Sequence, residues 1–202
     1  MTSFFETLKT QRWDDHRYYH QSRINQTLHL ISALSFLVAY AYLFIEPAVS
    51  GWIAWVVAMG TRQLGHFVFE PTGFDSVNNV SNDYKEAVKV GYNLRRKVVL
   101  LSACALIPAL ALVHPAALNW LVPESSEGDF FALVGLSWVM LGVIGVLFRV
   151  AQIWLRSSLM EGVAWAIKII TDPFHDIALY YKSPYFLFKR QWLDPMEHVR
   201  SR

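Results

Sequence analysis

Histidine is the residue type in this 202-residue chain whose placement points most directly to chemistry, because neutral imidazoles bind transition metals. His16 and His20 are four residues apart, and so are Asn25 and His29, so within a helix each pair would share a face. Two further histidines, His66 and His175, flank apolar stretches and belong to the same group of candidate metal ligands. His114 falls near the end of an apolar stretch, on the side opposite the other histidines. His198 lies in the C-terminal tail and has no predicted role.

A second pattern places a cation, an imidazole and a carboxylate at intervals of four, at Arg62, His66 and Glu70. Ionisable groups within a membrane span are costly and usually face the interior of the helix bundle. We therefore predict that these three side chains face the bundle interior. The alternative is an interfacial ion-pair ladder, with His66 bonded to a neighbouring helix.

Two other sets of polar residues are candidates for the same site. Arg149, Gln152 and Arg156 repeat along one helical face, where Arg149 could hold a carboxylate or a headgroup, or where the set could simply extend towards the interface. The segment 171–176 (TDPFHD) sets His175 between two aspartates, as at the start of a helix. A carboxylate there could orient the imidazole.

Several imidazoles with a carboxylate fit Fe(II), Zn(II), Mn(II) or Cu(II). The single cysteine, Cys104, lies in an apolar run, which excludes a thiolate-rich metal site. A histidine-plus-carboxylate shell with open positions is typical of non-haem iron oxygen chemistry, but the residues alone do not choose the metal. A haem held by two of His20, His29 and His66 is a further alternative.

The elements that would position these residues are helices in a membrane. Hydrophobic residues make up 54% of the chain and charged residues 17%, which is too apolar for an ordinary soluble domain. Four stretches are long enough to span a bilayer: 27–45, 51–69, 98–118 and 130–155. We predict an all-α integral membrane bundle over 1–156, followed by a cytoplasmic or interfacial segment over 157–202. That segment is predicted to be broken at Pro173 and Pro184.

Loop charges set the predicted orientation. Residues 1–26 carry four lysines and arginines and residues 70–97 carry five, whereas 46–50 and 117–129 carry none. Both termini should therefore be cytoplasmic, with the histidines on that side. No removable signal peptide is visible, and a bacterial inner membrane is favoured over the endoplasmic reticulum. The net charge of +2 is too small to indicate nucleic-acid binding.

Two segments resemble a known membrane family. The stretches from Tyr18 to His29 (YYHQSRINQTLH) and from Gly65 to Glu70 (GHFVFE) look like the signature segments of the Fe(II)-dependent 2-hydroxy fatty-acid dioxygenases of the endoplasmic reticulum and their bacterial relatives. The matching positions are Tyr19, His20, Asn25, His29, Gly65, His66 and Glu70. The chain departs from the family at Arg62, where a glutamine is common, and after Ser157, where no counterpart is evident.

The resemblance implies that O₂ shortens a 2-hydroxylated long-chain acid by one carbon. It implies that His20, His29 and His66 bind Fe(II), with His16 or His175 as a candidate fourth ligand. Glu70 would be a ligand or would orient one. Arg62 or Arg149 would hold the substrate carboxylate, with Asn25 and Tyr19 beside it.

A different class remains open, namely a non-catalytic membrane subunit or assembly factor that binds partner helices or lipid headgroups. The segment after residue 157 contributes only His175 to the predicted site, so an enzyme is expected to survive removal of the last dozen or so residues.

Overall fold

The computed structural model describes residues 3–88, 94–122 and 128–196, and their regular structure is helical, with two isolated bridges between extended residues. The predicted all-α class is confirmed for these residues. Residues 89–93 of the predicted polar loop and His198 lie outside the described ranges. The helices are α1 (Phe4–Tyr18), α2 (Arg23–Tyr42), α3 (Pro47–Trp52), α4 (Gly60–Leu64), α5 (Asn82–Val88), α6 (Leu94–Val113), α7 (Phe130–Arg156), α8 (Leu159–Tyr180) and α9 (Ser183–Phe188).

Within the described residues, two helices, α2 and α7, are long and apolar enough to cross a membrane. The predicted span 98–118 contains a shorter apolar helix, Val98–Val113, followed by a 3₁₀ turn. The predicted span 51–69 falls in a run of helical turns that begins at Pro47 and ends at Phe69. Membrane association thus rests on two helices, and four spans remain a prediction.

The run from Pro47 to Phe69 alternates between α-helical and π-helical turns. Its π segments are π1 (Ile53–Met59) and π2 (Gly65–Phe69), which follow α3 and α4 respectively. A π turn holds more residues than an α turn, so side chains beyond it point in new directions, and such turns are frequent at functional sites. Residues four apart along this run therefore need not share one face.

An apolar core forms where α3, α6 and α7 meet. Gly51 and Gly135 allow α3 and α7 to touch, since a Cβ atom on Gly135 would lie 2.3 Å from the carbonyl oxygen of Ala48. Trp138 packs in this core and donates its indole N–H to the carbonyl of Cys104 at 2.9 Å. Small residues at such crossings let helix backbones approach closely.

The predicted break at Pro173 is wrong, because α8 continues through this residue to Tyr180. A proline inside a helix removes one backbone hydrogen bond, but tertiary packing routinely overrides local propensity. Here Ser158 caps the start of the helix, Pro173 is buried, and α8 packs against α1, α2 and α7. The segment 171–176 lies inside this helix and does not begin one.

Candidate metal centre

Three histidines converge between α2, π2 and the linker that precedes α2. Nε2 of His29 lies 3.1 Å from Nε2 of His20 and 3.1 Å from Nε2 of His66. The three ligand atoms all lie within 4.8 Å of one another, with His20 and His29 buried and His66 half-buried. The predicted meeting of these residues is confirmed, and one metal ion could bind all three.

His20 is held in an unusual backbone conformation in the linker between α1 and α2. Its φ is +70°, a left-handed value that costs a non-glycine residue on the order of 1–3 kcal/mol and is enriched at functional sites. The carbonyl of His20 accepts a hydrogen bond from Gln26 Nε2 at 2.8 Å, which fixes the linker. The surrounding structure therefore holds this imidazole in place against local strain.

Gly65 brings π2 close to α2. A Cβ atom at this position would lie 2.1 Å from Oδ1 of Asn25, so no larger residue fits without a shift. His29 lies on α2 one helical turn beyond Asn25, and His66 follows Gly65 directly. The glycine thus sets the distance between two of the three imidazoles.

The environment keeps His20 neutral. Burial, followed by the neighbouring imidazoles of His29 and His66, lowers the pKa of His20 well below its usual value. The neutral imidazole is the form that binds metals, because its lone pair is then available.

A buried carboxylate stands behind His29. Oδ2 of Asp176 lies 3.5 Å from Nδ1 of His29 and 3.2 Å from Nη2 of Arg62, and Oδ1 lies 3.9 Å from Nε2 of His16. The two nitrogens of an imidazole point in diverging directions, so the carboxylate contacts the ring edge opposite the triad. Metal-bound histidines commonly use this second nitrogen to bond a carboxylate.

The fourth-ligand candidates lie beside the triad and not in it. His16 shares a 2.7 Å hydrogen bond with the hydroxyl of Tyr180, and its ring centroid lies 5.4 Å from that of His20. The ring of His175 lies 5.0 Å from that of His16 and faces a groove shared with Arg12. Among the described residues, the compact group of possible metal ligands comprises the triad alone.

Glu70 braces the site from the end of π2. Its carboxylate accepts hydrogen bonds from the backbone N–H of Gln21, at 2.9 Å, and from the side chain of Asn25. Burial raises the pKa of Glu70, although these two hydrogen bonds oppose the increase.

Tyr19, predicted to lie beside the substrate, packs near the triad. Its hydroxyl donates to the carbonyl of Lys85 at 3.0 Å, and its ring lies 6.2 Å from that of His66.

The two predicted anion-binding arginines differ in position. Arg62 pairs with Asp176 on α8, while Glu70 bonds to Gln21 and Asn25, so the predicted ladder between Arg62 and Glu70 is not formed. The π2 segment lies between Arg62 and Glu70, which explains how residues eight apart on one run reach different partners. Arg149 is buried and hydrogen-bonds Gln152 on its own helix.

The segment after α8 supports the linker that carries His20, a role that the sequence did not indicate. Arg23 lies 3.0 Å from Asp194, and Gln26 donates to the same carboxylate at 2.7 Å. The Ser183 hydroxyl donates to Oε1 of Gln26 at 2.6 Å. These contacts connect the segment to the site, and survival of an enzyme after removal of the last dozen or so residues stays a prediction.

Sequence reasoning did not assign Asp176 or Tyr180 to the triad. The available signal was the spacing of Asp172, Asp176 and Tyr180 at intervals of four, which places them on one face if α8 is continuous. The assumed break at Pro173 hid that face.

Comparisons with known proteins add no assignment, since no family model, curated protein or solved structure matches this chain.

Proposed function

We propose that this chain is a membrane non-haem iron oxygenase that acts on a 2-hydroxylated long-chain fatty acid. The observation that carries the proposal is the convergence of Nε2 of His20, His29 and His66 in a buried site. Imidazole is a suitable ligand for Fe(II), and non-haem iron oxygenases keep open positions on the metal. The choice of substrate rests on the resemblance of the segments that contain these histidines.

Three mutually facing nitrogens favour a single ion over a haem. A haem iron with two histidine ligands places them on opposite faces of the macrocycle. Here Nε2 of His20 and Nε2 of His66 each lie 3.1 Å from Nε2 of His29, so the three nitrogens surround one small space and no macrocycle could separate them. Zn(II) and Mn(II) suit the same donors, so the metal itself has to be measured.

The protein residues have separate tasks in this proposal. The triad would hold the ion. Asp176, whose Oδ2 lies 3.5 Å from Nδ1 of His29, would orient that ring, and Arg62 would compensate the charge of the carboxylate. Glu70 and Asn25 fix the linker against π2. Fe(II) held there would supply the one-electron oxygen chemistry that amino-acid side chains lack.

The reaction balances without a separate reductant. One 2-hydroxy acid and one O₂ give the acid shorter by one carbon, together with CO₂ and water. The bond between the carboxyl carbon and the hydroxyl-bearing carbon breaks, that second carbon is oxidised to the new carboxyl group, and O₂ is reduced.

The test is the metal content of protein purified anaerobically in mild detergent, beside a His20→Ala/His66→Ala double variant and a His114→Ala control. We expect about one iron per chain in the wild type and the control, as one triad predicts, and none in the double variant. Conversion of a 2-hydroxy acid to the next shorter acid should follow the iron.

Other outcomes contradict separate parts of the proposal. Zinc in place of iron would retain the site and reject the oxygen chemistry. No metal in any of the three proteins would reject the site and favour a non-catalytic subunit.

A further inference from the structure

Helix α8 has the opposite polarity from a helix that faces water. Beyond its first turn, its charged residues Lys168, Asp172 and Asp176 are buried, with Asp176 0% exposed. Its apolar residues Ile170 and Phe174 are 50% and 60% exposed. On a water-facing helix the apolar stripe turns inward and the charges turn outward.

The buried charges are paired inside the bundle. Lys168 lies 2.9 Å from Asp172, which is also 3.7 Å from Arg12. Asp176 pairs with Arg62, as described above. Ionisable residues in membrane-embedded helices behave in this way, since they face the bundle interior and pair there.

The exposed stripe of α8 continues an apolar surface that is already present. Besides α1, α8 packs against α2 and α7, the two helices of the described part of the chain that are apolar and long enough to cross a membrane. Its 22 residues extend over about 33 Å at 1.5 Å per residue, close to the thickness of the hydrocarbon core. Length and neighbours therefore both suit contact with lipid.

The residues after α8 have the composition of a headgroup layer. Tyr181 and Tyr185 are exposed, and the ammonium groups of Lys182 and Lys189 lie 5.3 Å and 4.8 Å from their respective ring centroids. Aromatic rings and basic side chains are enriched where acyl chains meet anionic headgroups. The helix thus ends where the charge of a membrane surface would complement it.

We infer that α8 is embedded in the bilayer and contacts its acyl chains through an exposed stripe, while its inner face carries Asp176 to the histidine triad. The stripe consists of Val163, Ile167, Ile170 and Phe174. This replaces the expectation of a cytoplasmic or interfacial segment with a third lipid-facing helix. The inference rests on polarity and packing, independently of the proposed reaction.

The test uses nitroxide labels on single cysteines in a Cys104→Ser background, with the protein in vesicles of phosphatidylcholine and phosphatidylglycerol. Labels at Ile170 and Phe174 are compared with one at Val143, an exposed apolar residue of α7, and one at Ser76 in a polar loop. The measurement is collisional relaxation by O₂, which concentrates in acyl chains, and by a water-soluble nickel chelate.

We expect labels at positions 170 and 174 to match position 143, with high O₂ and low nickel accessibility, whereas position 76 shows the reverse. Nickel accessibility at 170 and 174 equal to that at 76 would overturn the inference. Variants that lose native behaviour are recognised by thermal unfolding of each labelled protein, whose melting temperature must match that of the protein labelled at 143. Iron measured in the same samples tests the proposed function separately, since the lipid pattern does not require metal.

Discussion

The two ends of this bundle are built on different physical principles. Where α3, α6 and α7 meet, glycine contacts and apolar side chains such as Val134 and Trp138 fill the interior. Where α1, α2, π2 and α8 meet, the interior holds imidazoles and carboxylates, and His20 has a left-handed backbone. The first end holds helices together by close packing, whereas the second keeps polar groups away from solvent at a cost in stability.

Because the two ends differ in this way, substitutions should be able to change stability and metal binding separately. Substitutions at distant sites with no shared partners usually have additive effects. A change at the apolar end should therefore alter unfolding and leave metal affinity intact in the protein that folds. A change at the polar end should alter metal affinity by more than its effect on unfolding explains.

The largest expected effect is at the apolar end, for Gly135→Leu. The new side chain would meet the backbone of Ala48, so α3 and α7 must separate, and we expect about 3 kcal/mol lower stability or failure to fold. The measurement is thermal unfolding in detergent, with Gly142→Leu as the control, because nothing lies within 4 Å of a Cβ atom there. Equal melting temperatures for the two variants would show that the close α3–α7 contact contributes nothing.

The next effect is at the polar end, for Asp176→Asn. Loss of the carboxylate behind His29 should weaken metal binding by about 10–100-fold, the usual effect of removing such a partner. Competition with a chromophoric chelator measures this affinity. Asp172→Asn is the matched control, since it removes a buried, paired carboxylate of the same helix whose partners are Lys168 and Arg12.

Both aspartate variants should lower stability, because Asp172→Asn takes an ion-pair partner from the buried Lys168 and Asp176→Asn takes one from the half-buried Arg62. Only Asp176→Asn should change metal affinity. If both variants weaken binding equally, Asp176 acts through general destabilisation and does not orient His29.

The sequence predicted the triad because His20 and Asn25–His29 precede an apolar stretch and His66 ends another, so one membrane face brings them together. It also predicted helices throughout, since apolar runs of this length satisfy their own backbone in a membrane. It missed Asp176 because proline is a strong local signal, whereas the packing of α8 on three helices that holds Pro173 in a helix is a tertiary effect. The role of Asp194 was equally hidden, because its partners Arg23 and Gln26 lie near the other end of the chain.

The smallest effect that still separates the two ends is expected for Asp194→Asn. An amide keeps one oxygen for Gln26 but loses the ion pair with Arg23, so stability should fall by about 1 kcal/mol. Because Gln26 also bonds the carbonyl of His20, metal affinity should fall several-fold while stoichiometry stays the same. The measurements are the same unfolding and chelator-competition experiments.

Asp129→Asn is the control at the other end, since Asp129 caps α7 and asparagine caps helices equally well. Its stability and metal affinity should stay at wild-type values. Unchanged affinity in Asp194→Asn, despite the lower stability, would mean that the C-terminal segment supports the fold and not the position of His20. The residues after α8 would then contribute to stability alone, and the metal-binding end would comprise only the helices that surround the triad.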